Sequence, residues 1–304
     1  MENRIVIEQL SKSISKTKII KGIDLAIRPG EVYGLLGPNG AGKTTTIRMI
    51  VGLMKPTSGR VLINGYDLNR DFEKAISRVG AVVENPEMYD YLSGYDNLLH
   101  YQRMMPGVKK SRIHEVAELV GMTARLKEKT GTYSLGMRQR LGLAQALLHE
   151  PDVLILDEPT NGLDPAGIRE IRSYLRSLAH EEGISIIVSS HLLSEMEKMC
   201  DRIAVIKQGE IIAVSDVKSF IQQKEDRIIL RAKPIQDARK VIRAYLNSEA
   251  EQDGEELDLN CSEEQIPGLI KELITAGVQV YEVRHAAPVT LEEQFLQVTG
   301  GESL

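Results

Sequence analysis

Val32-Tyr33-Gly34-Leu35-Leu36 runs directly into Gly37-Pro38-Asn39-Gly40-Ala41-Gly42-Lys43-Thr44-Thr45, and this stretch decides the fold. The opening residues are apolar on both faces, as a strand buried inside a parallel sheet requires. The glycine-rich part fits the pattern G-x-x-x-x-G-K-[ST]. Its glycines let successive backbone N–H groups point at phosphate oxygens, and the helix expected over 44–53 presents its positive end to the same anion. Gly37, Pro38, Asn39, Gly40, Ala41, Gly42, Lys43, Thr44 and Thr45 are therefore the candidate nucleotide-binding residues. Lys43 would neutralise phosphate charge, and Thr44 would offer a hydroxyl to Mg2+. A chance glycine-rich turn would lack the strand before and the helix after.

Working outward, 5–10 and 23–27 read as short strands, and Val61-Leu62-Ile63 leads into Asn64-Gly65, a hairpin-turn signal. From Tyr91 to about Lys129 apolar residues recur every three or four positions, which predicts helices, and another helix follows Ser134. Next come a strand at 153–156, a helix at 168–179, a strand at 184–189, a helix at 192–199 and a strand at 203–206. Strands alternating with helices predict an α/β domain on a largely parallel sheet. The polar stretch DVKSFIQQKED, 216–226, marks a boundary. Beyond it a strand (227–232), a helix (235–245), a strand (257–260), a helix, a strand (278–283) and a final helix (291–298) form a small α+β appendage. Its second helix opens with Ser262-Glu263-Glu264-Gln265, a capping-box pattern, and 249–256 reads as an acidic loop. The expected organisation is a nucleotide-binding domain over 1–218, with a helical subdomain at about 88–148, and an accessory domain over 219–304.

The strand 153–156 ends in Asp157-Glu158. Taken alone, such a pattern is more often a capped buried strand than a catalytic one. Behind a phosphate loop it reads as chemistry: Asp157 would hold Mg2+ through water, and Glu158 would orient and deprotonate an attacking water.

Composition narrows the partners. Across 304 residues the net charge is −5, aromatic residues are 4% and Trp is absent. The chain therefore has neither a basic field nor many stacking platforms, and no nucleic-acid partner is expected. Cys200 and Cys261 share no metal-ligand spacing and read as reduced thiols. The first residues lack a secretory pattern, and no apolar run approaches the ~20 residues that span a bilayer. A link to a membrane must then come through a partner.

Tyr133-Ser134-Leu135-Gly136-Met137-Arg138-Gln139-Arg140, placed just before the Asp157 strand, resembles the LSGGQ signature of ABC (ATP-binding cassette) ATPases, keeping its Ser and second Gly. The resemblance extends over essentially the whole chain. Ser134 also stands where it can cap the next helix and help to form an anion site. The resemblance implies a P-loop NTPase of the ABC ATPase fold: a mostly parallel sheet core, an antiparallel β subdomain and a helical subdomain. It implies ATP and Mg2+ as ligands and two cassettes packed head to tail. Ser134, Leu135, Gly136 and Met137 of one cassette would contact the γ-phosphate held by the other. Asn161-Gly162-Leu163-Asp164 resembles the D-loop, with Asp164 bridging the two sites. Ser189-Ser190-His191 resembles the switch histidine, so that Glu158, His191 and Lys43 form the implied catalytic set.

Two positions depart from the family. Ile14 stands where an adenine-stacking aromatic is expected, which predicts weak discrimination between ATP and GTP. Glu84 stands where the family's Q-loop carries Gln, so the implied metal ligands are Thr44, Asp157 and Glu84. A glutamate there resembles the E-loop of transporters that protect bacteria from lantibiotics and bacitracin-like peptides, and the C-terminal appendage is similar to extensions in that exporter class (ABC-2). Met88, Tyr89, Tyr91, Tyr95, Tyr101, Met104 and Met105 give the region after Glu84 the composition of a binding surface. The resemblance makes it the seat of a membrane partner's coupling helix. The implied partners are a second ATPase subunit, identical or paralogous, and an integral membrane permease, with the chain cytoplasmic and peripheral on the inner face of the cell membrane. Three alternatives stay open: efflux of drugs or ions by the same exporter class, a soluble non-transport ABC ATPase, and a nucleotide-binding regulator with little turnover.

Overall fold

The strand ahead of the phosphate loop lies inside a six-stranded sheet, as its two-faced apolar character requires. The computed structural model describes residues 3–84, 86–190, 193–222, 227–286, 291 and 295. The chain divides into two compact units, Met1–Val217 with Phe295–Leu304, and Lys218–Gln294.

The first unit runs through β1 (Ile5–Ile14), β2 (Thr17–Ile27), β3 (Val32–Leu36), α1 (Lys43–Ile50), β4 (Ser58–Ile63), β5 (Tyr66–Asp67), α2 (Phe72–Ile76) and β6 (Val79–Val82). A helical region follows, with α3 (Gly94–Met104), α4 (Arg112–Leu119) and α5 (Leu135–Leu147). Then come β7 (Val153–Asp157), α6 (Pro165–His180), β8 (Ser185–Ser189), α7 (Leu193–Met199), β9 (Arg202–Lys207) and β10 (Glu210–Asp216), and α8 (Val217–Gln222) begins at the boundary. The central sheet has the order β10-β9-β3-β8-β7-β6 and is parallel except where β10 joins β9. The chain steps from β3 out to the edge strand β6 and winds back through β7 and β8 past β3 to β9. The connections leaving the carboxyl ends of neighbours β3 and β8 thus run in opposite directions, and such a switch point opens a crevice there. A second sheet, β2-β1-β4-β5, is antiparallel. Ile47, Met49 and Ile50 of α1 share one core with Ile5 and Ile27 of that sheet and with Leu35 and Ile155 of the central one. Each such buried side chain contributes about 1.5–3 kcal/mol, so the phosphate-loop helix is anchored on both sides.

The Asn64-Gly65 turn forms as expected, with φ of 53° and 79°. The sequence predicts no element at 210–216 or 72–76, where the structure has β10 and α2. The turn ahead of β10 is Gln208-Gly209, with both φ positive, a hairpin whose first residue is not one of the usual signals. Helix α2 is too short for its periodicity to register. Among the described residues no helix is long and apolar enough to cross a membrane.

The second unit is β11 (Arg227–Lys233), α9 (Ile235–Leu246), β12 (Glu251–Asp253), β13 (Glu256–Asn260), α10 (Ile266–Thr275) and β14 (Gln279–His285). Its antiparallel sheet has the order β12-β13-β11-β14, the split βαβ arrangement of ferredoxin-like folds. Ile228, Leu230, Leu257 and Leu259 pack with Ala238, Ile242, Leu269 and Leu273 of the helices. The opposite face carries ion pairs, Arg227 with Asp258, Arg231 with Glu282 and Arg284 with Glu256. The acidic stretch expected as a loop contains β12 instead. Pairing with β13 overrides the poor strand propensity of its carboxylates. Half of the expected capping box forms: Ser262 N donates to Gln265 Oε1 at 3.1 Å. The helix itself starts only at Ile266, where Pro267 has no N–H to satisfy. The expected helix at 291–298 lies outside the described residues except for Leu291 and Phe295.

Candidate nucleotide site

Gly42 closes the phosphate loop with φ 112°, and a Cβ there would stand 2.4 Å from Ile20 Cδ1, so both conformation and space demand glycine. Gly37 and Ala41 are buried, Pro38, Thr44 and Thr45 half-buried, and Asn39 and Gly40 exposed at the rim. Lys43, the first residue of α1, is 7% exposed. Its Nζ donates to Gly37 O at 2.5 Å and to Pro38 O at 3.4 Å. Burial pushes the Lys43 ammonium below the usual lysine range, while the carboxylates of Glu158 and Asp157 oppose that shift. The two carboxylates are thus coupled to a lysine that is itself poorly solvated.

Strand register explains the coupling. Ser189 pairs across β8 with Asp157 on β7 and with Leu35 on β3. Neighbouring strands lie about 4.8 Å apart, so the phosphate loop and the acidic pair emerge from one edge two strands apart. Ser189 Oγ donates to Asp157 Oδ1 at 2.5 Å. Glu158 N donates to Ser189 O at 3.2 Å and to Ser189 Oγ at 3.1 Å. Asp157 is 5% exposed, and Glu158 has φ 53°, a left-handed conformation that costs a non-glycine residue energy and clusters at functional sites. Ser189 has no role of its own in the sequence reading. Its signal was a hydroxyl at the carboxyl end of a buried strand, directly after the apolar run Ile186-Ile187-Val188. His191 lies outside the described residues.

Among the described residues no three His, Cys, Asp or Glu side chains converge into a metal site. The donors at this edge are the buried Asp157 carboxylate and the Thr44 hydroxyl. This small, hard-oxygen set suits Mg2+, which keeps waters and takes phosphate oxygens. Glu84 forms an ion pair with Arg48 of α1 and has φ 65°. Arg48 is absent from the sequence reading, although its place four residues after Thr44 was the available signal. Ile14 ends β1 and is 49% exposed.

The two implied inter-cassette loops both cap helices. Ser134 precedes α5, and its Oγ accepts from Met137 N at 3.3 Å. Asp164 precedes α6, and its Oδ1 accepts from Gly167 N at 2.9 Å. The loops also interlock. A Cβ on Gly162, whose φ is 72°, would stand 2.2 Å from Leu135 Cδ2, and one on Gly136 would stand 3.1 Å from Leu163 Cδ2. Leu135 is nevertheless 43% exposed.

Beyond Glu84, Tyr89, Tyr91 and Met104 are exposed. The loop bearing the tyrosines is fixed by Asn97, fully buried, whose Oδ1 accepts from Tyr89 N and whose Nδ2 donates to Tyr89 O and Ser93 O.

A family profile described as "ABC transporter" matches residues 20–161. An uncharacterised ABC transporter ATP-binding protein of Bacillus subtilis (strain 168), YhcH, is 50% identical over 300 residues, covering 99% of this chain and 97% of the relative. The bacitracin transport ATP-binding protein BcrA of Bacillus licheniformis is 45% identical over 212 residues, 70% of this chain and 69% of the relative. Among solved structures, cbiO1 of Clostridium perfringens, part of the ABC transporter complex cbiONQ, superposes with a TM-score of 0.67 at 28% identity, covering 81% of this chain and 97% of that one. A glycine-rich loop beside the acids Asp157 and Glu158, the cassette fold and half-identity along nearly the full length lead to one conclusion: the chain belongs to the ATP-binding proteins of ABC transporters and is an ATPase of that family.

Proposed function

We propose that this ATPase energises export through a separate integral membrane permease, with bacitracin- or lantibiotic-like peptides as the cargo class. The observation that carries the chemical part is the placement of buried Lys43 and Asp157 beside Glu158 at one carboxyl edge of the sheet. The cargo class rests on Glu84 and on the likeness to a bacitracin transport protein.

In this reading the phosphate loop, from Gly37 to Thr45, cradles the nucleotide, and Lys43 exchanges its own-chain carbonyls for phosphate oxygens. Thr44 and Asp157 would hold Mg2+, with Glu84 on the metal side; the ion supplies neutralisation of charge on the phosphates. Glu158 acts as the general base on water, and His191 is assigned to the γ-phosphate. Ser134, Leu135, Gly136 and Met137 reach across to the nucleotide of a second cassette, and Asp164 bridges the two sites. The exposed Tyr89, Tyr91 and Met104 belong to the permease contact, which holds the chain peripherally on the inner face of the cell membrane. All of these residues fall within 1–218; we assign 219–304 as an accessory domain outside the hydrolytic machinery.

The test uses a tagged Glu158→Gln chain purified from native membranes with ATP present. Turnover should fall by roughly 10²–10⁴-fold, the usual worth of a general base, with ATP binding retained. A multi-span membrane protein should accompany it in stoichiometric amount. Wild-type turnover would remove Glu158 from its role, and ribosomal or DNA-associated partners without a membrane protein would overturn the transport reading.

A further inference from the structure

Arg48 follows Thr44 by four residues on α1, so the two side chains leave the same face of the helix one turn apart. Its guanidinium pairs with the Glu84 carboxylate. Glu84 lies just beyond β6, whose Val82 pairs with Leu156 on β7, so Glu84 comes level with Glu158 at the carboxyl edge of the sheet. Its left-handed φ of 65° is unfavourable for a bulky side chain and persists only where neighbours fix it. The Arg48 pair is one such restraint, anchored to a helix that the core holds from both sides.

A glutamine at this position would need no counter-charge. A carboxylate beside phosphates repels them unless a cation screens it. Two cations can do so, Arg48 and the divalent metal. We propose that Arg48 is a positioning residue that competes with Mg2+ for Glu84, and so sets how strongly nucleotide binding depends on the metal. The inference rests on the reading that Glu84 stands on the metal side. The exposure of the pair suits the competition: the side chains are 38% and 61% exposed, and an ion pair so solvated is weak enough to exchange. A deeply buried pair would hold its carboxylate against the metal.

The full chain carrying Glu158→Gln, which blocks turnover, is titrated with a fluorescent ATP analogue in Mg2+ and in EDTA. The ratio of the two dissociation constants is the gain from the metal. Adding Arg48→Gln should raise that gain roughly two- to five-fold, the range open to an exposed ion pair, mainly by weakening binding in EDTA. Adding Arg48→Lys, which keeps the charge, should leave most of the parent gain. Glu84→Gln should lower the gain, and the double variant should match Glu84→Gln alone. If Arg48→Gln weakens binding equally in both media, or adds to Glu84→Gln in the double variant, the competition is overturned while the placement of Glu84 stands. A gain unchanged by Glu84→Gln overturns that placement and the inference with it.

Discussion

Two of the three sheets among the described residues, the central one and that of the second unit, treat charge in opposite ways. In the central sheet, β3, β7 and β8 are buried at every residue, and apart from Tyr33 and Ser185 their polar side chains gather at the carboxyl ends. There Lys43 and Asp157 are buried beside the half-buried Glu158, and the two carboxylates act on the Lys43 ammonium. In the sheet of the second unit, burial alternates along β11 and β13. Its exposed face sets opposite charges across strands, Arg227 against Asp258 and Arg284 against Glu256. That pairing stabilises a surface and leaves little field to act on a ligand. Charge at the first sheet is available for chemistry because the fold concentrates it at one edge and withholds water.

This contrast can be broken by experiment. Gly42→Ala should have the largest effect at the nucleotide edge, because its Cβ meets Ile20 in a backbone conformation alanine disfavours. ATP affinity should fall by more than about tenfold, some 1.4 kcal/mol, in a direct binding titration. Near-normal affinity would mean that the loop is not held by its core contacts. In the second unit, Asp258→Asn leaves Arg227 without its partner where both side chains are under one-fifth exposed. Chemical denaturation should show a loss of about 1–2 kcal/mol, with ATP turnover per folded molecule unchanged. A collapse of turnover would make the sheet of the second unit part of the catalytic apparatus and end the comparison.

The smallest expected effect concerns His149, at the far end of the first unit's sheet. Its Nε2 lies 3.1 Å from Val79 O. Burial holds its pKa below the ordinary histidine range, opposed by the Val79 carbonyl and assisted by Arg78. The folded state therefore binds this proton less readily than the unfolded one. The associated stability is complete above about pH 6.5, the unfolded value, and is lost as pH falls through the lower folded value. His149→Gln should flatten that acid limb in urea midpoints measured across the range; an unchanged limb would assign it to other groups.

The parts of the site that lie along one strand and its turn were legible in the sequence. The loop at Gly37 to Thr44 and the acids at Asp157 and Glu158 announce themselves because a buried strand must be apolar and a phosphate cradle must be glycine-rich. Ser134 was legible for the same local reason, since a cap lies beside the helix it caps. Ser189 and Arg48 were not, because their partners Asp157 and Glu84 lie 32 and 36 residues away in the chain. Only the sheet order brings them together. Strand β12 stayed hidden because Glu251, Gln252 and Asp253 lack strand propensity and take their conformation from β13. The split βαβ order of the second unit was likewise beyond a reading of local pattern, although its alternating apolar residues already indicated a half-buried sheet.

The interlock of Leu135 with Gly162, and of Leu163 with Gly136, has a mechanical meaning. Each leucine is a tooth seated in the notch where the facing loop lacks a side chain. Close-packed groups of this kind transmit displacement instead of absorbing it. A side chain added at Gly162 or Gly136 would push on Leu135 or Leu163, so the helix starts capped by Ser134 and Asp164 are spaced by the sizes of two leucines.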